Sequence, residues 1–123
     1  MIGCLYISVT QFYDMRKHKL GFKNRPVLII AGPNNNDFTV LPLSTISISS
    51  NVDNEYDIKI EPQKYSKLNL IKTSYVRTHK SFTIHEKELI KEVANLKILE
   101  PDLYLEILNK YEQWTKEVVT NAL

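Results

Sequence analysis

The sequence predicts an α+β fold, a barrel-like sheet with helices at its C-terminal end. Two observations carry that prediction. Apolar residues up to about Lys80 recur at period two or in short uninterrupted runs, the spacing of strands. Beyond Thr83 the apolar spacing changes to three and four, the spacing of helices, and strands followed by helices make an α+β domain. At 123 residues the chain is one domain, residues 1–123, long enough to bury a core.

Leu5, Ile7 and Val9 alternate within residues 2–9 and predict a first strand. From Thr10 to Asn24 the apolar pattern thins and charge gathers, which predicts a long loop. Within it and just beyond lie Arg16, Lys17, Lys19, Lys23 and Arg25 against one carboxylate, Asp14, with His18 among them. Such a stretch serves equally as solvated charge that discourages edge pairing or as a phosphate-facing flap. The organising run follows: Val27 to Ala31 reads as a buried strand, introduced by Arg25-Pro26. Pro26 lacks an N–H and suits a strand's first residue, so Arg25 stands on stiff backbone at the strand mouth. The turn residues Pro33 to Asp37 lead into a second apolar run, Phe38 to Leu43, closed by Ser44-Thr45, and the two runs predict a hairpin.

Residues 45–55 are rich in hydroxyls and amides and predict a mobile loop. Tyr56 to Glu61 alternates as a half-buried strand that Pro62 stops, and Lys64 to Thr73 is a basic connector. Ser74 to Lys80 is strand-like, with Tyr75, Arg77 and His79 on one face. Thr83 with Glu86 forms a capping box, predicting a helix from about residue 84 with Leu89, Ile90, Val93 and Leu96 as its apolar set and Asn95 at its end. His85 falls in its first turn as a structural residue. A second helix starts near Pro101, where Leu103, Ile107, Tyr111, Trp114 and Val118 form one packing stripe.

The net charge of +2 conceals an asymmetry: residues 1–83 hold 11 Lys and Arg against 6 Asp and Glu, and residues 84–123 hold 5 against 8. The first part suits an anionic partner. The single cysteine, Cys4, excludes an internal disulfide and any all-cysteine metal site. With no signal-peptide pattern and no apolar run near ~20 residues, the chain is expected in the cytoplasm, away from membranes.

In order, these residues resemble a known family. Gly3 in a short first strand, Arg25-Pro26-Val27-Leu28-Ile29-Ile30, Val40-Leu41-Pro42-Leu43-Ser44-Thr45, then Ser74-Tyr75-Val76-Arg77 and a helical tail resemble the MazF/PemK (Kid-like) toxins of type II toxin–antitoxin systems. The resemblance implies an SH3-like barrel and a homodimeric endoribonuclease that needs no metal or cofactor and cuts single-stranded RNA at short sequences. The RNA's own 2′-hydroxyl would attack the adjacent phosphorus, leaving a 2′,3′-cyclic phosphate and a 5′-hydroxyl. It also implies an acidic antitoxin partner that fills the same groove. Carried onto this chain, the catalytic residues are Arg25 and Ser44, with Thr45 alongside. Arg77 and His79 are implied for phosphate binding or proton transfer, with His18 as the competing candidate for the proton, and Lys17, His18, Lys19, Lys23 and Asn24 for holding RNA. Ser44 stands where Thr is usual, His79 where Kid-like members carry Asp, and Cys4 where an acidic residue commonly follows the glycine. The same fold also supports CcdB-like toxins that bind gyrase and cleave nothing, and family members that only bind RNA or protein are a further alternative.

Overall fold

The computed structural model describes residues 1–123. Seven strands make one curled sheet: β1 (Cys4–Asp14), β2 (Lys19–Asn34), β3 (Asp37–Ser44), β4 (Asp57–Ile60), β5 (Ser74–Arg77), β6 (Phe82–His85) and β7 (Leu89–Asn95). Their order across the sheet is β4-β5-β3-β2-β1-β7, with β6 pairing to β3 off that path, and every pairing is antiparallel. A one-turn helix α1 (Leu96–Leu99) and a long helix α2 (Pro101–Ala122) close the chain.

The hairpin of β2 and β3 is the centre. Val27, Leu28 and Ile29 from β2 and Val40, Leu41 and Leu43 from β3 are buried and divide by alternation between two cores. The larger core takes Leu28, Leu41 and Leu43 against Leu96, Leu103 and Ile107 of the helices; the smaller takes Val27, Ile29 and Val40 against Ile84. The stripe on α2 is buried at Leu103 and Ile107, half-buried at Tyr111 and Trp114, and exposed at Val118. Pro101 opens that helix as expected.

Two expectations are corrected. Residues 10–24 are no loop: β1 and β2 continue as a two-stranded arm to Asp14 and Lys19. Its strand period is hidden because neither side has a further strand beside it: β7 reaches only Ser8 on β1, and β3 only Val27 on β2. Residues 84–95 are no helix either; they form β6, a single 3₁₀ turn (Glu86–Glu88) and β7. The open edge of β1 supplies hydrogen bonds to β7, and this tertiary pairing overrides the local helical spacing. His85 accordingly ends a strand, its Nδ1 accepting the Lys87 N–H at 3.1 Å, and Asn95 starts rather than ends a helix, its side chain accepting the Ile98 N–H.

Candidate active site

The register of the central strands places the first candidates. Val27 pairs with Pro42, and carrying that register two residues onward brings Arg25 opposite Ser44. On the other side Arg25 pairs with Ser8, whose buried hydroxyl donates to the Arg25 carbonyl at 3.2 Å and fixes the backbone there. Ser44 in turn pairs with Tyr75 on β5. At this point β3 ends while β2 runs on into the arm, and the step between them is a cleft of about 320 Å³. Its lining joins Lys23, Asn24 and Arg25 to Ser44, Thr45 and Lys72.

The charge of this cleft is one-sided. Three cations, Lys23, Arg25 and Lys72, line it with no carboxylate, beside the hydroxyls of Ser44, Thr45 and Ser74. The Lys23 ammonium sits 4.6 Å from the centre of the Phe12 ring, a contact that leaves its charge uncompensated. Ser74 donates to the Lys72 carbonyl at 3.1 Å and so shapes the turn that presents Lys72. A guanidinium keeps its proton and offers a planar fork of donors, and hydroxyls add donors that rotate to suit. Such a set binds a tetrahedral anion and stabilises charge developing on its oxygens. Ser8, Lys72 and Ser74 were missed in the sequence, where nothing but the basic character of the connector marked Lys72.

Lys17, His18 and Lys19 lie outside the cleft, at the tip of the arm. There Asp14 accepts the Arg16 and Lys17 N–H groups at 2.9 and 3.2 Å, and His18 takes a left-handed conformation (φ 50°) that turns the chain.

Arg77 and His79 do not line the cleft either. Arg77 lies on the face of Tyr75, two residues further along β5, and its guanidinium is gripped by the fully buried Asp57 carboxylate, Nε to Oδ1 at 3.1 Å and Nη2 to Oδ2 at 3.4 Å. His79 lies between Asp57 and Asp53, with Nδ1 3.7 Å from the first and Nε2 3.8 Å from the second, and its buried Nδ1 has no hydrogen-bond partner. Tyr56 and Trp114 flank the imidazole, each with its ring centre 5.9 Å away. Burial holds the His79 imidazole below its ordinary pKa although Asp57 and Asp53 pull it upward. Backbone N–H groups of Tyr56 and Glu55 hold Asp53 below the usual carboxylate range. The Tyr56 hydroxyl donates to Glu117 of α2, which pushes its own pKa up, and Gln113 donates to Glu55 at 2.9 Å. This group fastens α2 to the sheet.

The largest cleft, about 630 Å³, lies elsewhere, between Phe22 of the arm and Phe82 of β6. Its one cation, Lys87, is balanced by Glu88, so size and anion-binding chemistry point to different places, and the chemistry decides for the Arg25 cleft. No cluster of three or more His, Cys, Asp or Glu side chains with metal-binding geometry occurs, and no helix is long and apolar enough to cross a membrane.

A curled antiparallel sheet with C-terminal helices and a cationic cleft at the end of its central hairpin defines the class. Residues 7–114 match the model of the family described as PemK-like, MazF-like toxin of type II toxin-antitoxin system, and the chain belongs to that family. Membership brings with it an antitoxin partner. Among solved structures, the Mycobacterium tuberculosis toxin MazF-mt6 is similar with a TM-score of 0.56 and 23% identity, over 89% of this chain and 96% of that one, and the likeness is one of fold. None of the curated proteins compared matches the chain in sequence.

Proposed function

We propose that this chain is a cytoplasmic, sequence-selective endoribonuclease toxin that cuts single-stranded RNA without a metal ion and works as a homodimer. The observation that supports it is the convergence of Arg25, Ser44, Thr45, Lys23 and Lys72 on one cleft lined by no carboxylate. Family membership supports it from another side. In this reading the scissile phosphate sits between Arg25 and Ser44. The 2′-oxygen attacks phosphorus, the bond to the 5′-oxygen breaks, the 2′-hydroxyl gives up its proton and the departing 5′-oxygen gains one. Extra negative charge then falls on the non-bridging oxygens, where Arg25 and the Ser44 hydroxyl donate. Lys23, Asn24 and Lys72 hold neighbouring phosphates, with Lys17, His18 and Lys19 further out along the arm. Arg77 and His79, shut in their own cluster, hold the far end of β5 and act on the site through its position rather than by touching substrate. An acidic antitoxin segment would occupy the same cleft by matching its charge.

The test is cleavage of a long mixed-sequence RNA in the presence of EDTA. Discrete fragments with 5′-hydroxyl ends are expected from the native chain and not from Arg25→Ala. Equal cleavage by both proteins would remove Arg25 from the site; intact RNA with both, over a substrate containing every short sequence, would end the nuclease reading.

A further inference from the structure

The Arg25 cleft does not stop at Thr45. Pro26, Thr45, Lys72 and Ser74 also line a second hollow of about 470 Å³, so the two form one continuous groove. The second hollow differs in chemistry. Ile7, Leu70, Ile71 and Val93 give it apolar walls, and Asn69 stands among them. Ile71 is 94% exposed, an aliphatic side chain that contributes nothing to either core. Asn69 is held in the left-handed conformation (φ 58°), with its Nδ2 donating to the Val93 carbonyl at 3.4 Å. That bond fixes the amide and leaves its Oδ1 free to accept.

Beyond the apolar part the charge returns. Lys91 on β7 pairs with Ile7 on β1, and Ile7 pairs with Pro26 on β2, so Lys91 and Pro26 stand on one row of three strands. Two strand spacings separate them, about 10 Å. Along the groove the order is therefore cations, apolar walls with one fixed amide, then a cation. A single-stranded nucleic acid offers the complement: phosphate, a planar base with hydrogen-bonding edges, phosphate. A purely apolar ligand has no use for the flanking lysines. Glu92 also lines the hollow, opposite Tyr6 in the sheet, and offsets one of its two lysines, Lys72 and Lys91, so that one positive charge remains.

We infer that this second hollow is a nucleobase subsite, in which Ile71 packs against the face of the base next to the scissile phosphate, the Asn69 amide reads its edge and Lys91 holds the following phosphate. The inference rests on the ribonuclease reading and assigns part of its sequence preference to the segment Asn69–Lys72, away from the arm.

Binding of a fluorescent 2′-O-methyl RNA pool, which has no free 2′-hydroxyl and cannot be cut, separates the two. Ile71 and Lys91 are exposed, so Ile71→Ser and Lys91→Gln leave the cores intact. The double variant is expected to bind about tenfold more weakly than the native chain, since it loses both the apolar contact with the base and one phosphate contact. Lys91→Gln alone should lower the slope of log affinity against log salt by about 0.7. A pool carrying 4-thiouridine should cross-link within residues 69–72. If Arg25→Ala weakens binding while the double variant stays within about twofold of native and no cross-link falls there, the subsite is overturned and the ribonuclease reading stands. If the native chain binds no RNA, the ribonuclease reading falls and the subsite with it; if Arg25→Ala binds as well as native while the double variant binds more weakly, the subsite stands and Arg25 acts on the reacting phosphate alone. Loss of binding to an acidic peptide, with RNA binding unchanged, would reassign the hollow to a protein partner.

Discussion

Two groups of basic side chains lie on this one sheet, Arg77 being the one fixed cation of the second, and carboxylates separate their roles. In the cleft Lys23, Arg25 and Lys72 have none among the lining residues. In the seam under α2, Arg77 and His79 face Asp57 and Asp53. A cation with a buried counter-ion is committed to the fold, because removing either partner leaves the other uncompensated in a poor solvent for charge. A cation without one keeps its interaction energy for a ligand. Residue type alone does not distinguish Arg25 from Arg77; what faces each guanidinium does.

That contrast is sharpest in the substitutions that break it. On the proposed ribonuclease reading, Arg25→Ala is expected to lower RNA cleavage by about 10²–10³ while the denaturation midpoint stays near native, because only an interaction with the reacting phosphate is lost. Measured by urea unfolding, Asp57→Ala should cost about 3 kcal/mol, the range for a broken buried pair, since it strands Arg77 and deprives the Asp53 N–H of its 2.8 Å acceptor. A midpoint unchanged in Asp57→Ala would show that the seam is no more committed to the fold than the cleft. Trp114→Ala should follow at about 2 kcal/mol, less than a fully buried aromatic because the indole is half-exposed. Lys72→Gln should leave stability alone and lower the salt dependence of RNA binding by about 0.7 in log–log slope.

The smallest effect is on pH. His79 is held below the ordinary imidazole value of 6.5, so the unfolded chain takes up its proton first as pH falls. Stability is full above that value and declines as pH drops from it toward the lower folded value. A falling melting temperature from pH 7 to pH 5 that flattens in His79→Gln is the expected result; identical profiles would take the imidazole out of the seam's electrostatics. Asp53, with its folded value depressed, adds a separate loss only below the usual carboxylate range near 3.8.

The central hairpin, the strand-mouth Arg25 and the Ser44-Thr45 end were legible because buried runs, a proline and turn residues are local signals. The arm was hidden for a physical reason: Thr10 to Asn24 has no sheet neighbour on its outer edges, so its apolar side chains, Leu20 and Phe22 among them, stay exposed and no buried face imposes a strand period. Leu89, Ile90, Val93 and Leu96 fit a helical stripe, and only the free edge of β1, invisible in the local sequence, makes a strand of residues 89–95. Alternation put Arg77 on the right strand face, but Asp57, twenty residues earlier, decides what the guanidinium does there. Lys72 and Ser74 come to the cleft by a turn that no motif announces.

Trp114 is the chain's sole tryptophan, and it packs edge-on to Tyr56 with ring centres 5.1 Å apart. Tryptophan emission from this protein therefore originates at the junction of helix and sheet, next to an imidazole and outside the cationic groove. The indole is expected to register detachment of α2 or protonation of His79 as a change in brightness or colour, and to stay silent when an anion enters the Arg25 cleft. One optical channel thus follows the scaffold alone, leaving a label on the nucleic acid to follow occupancy.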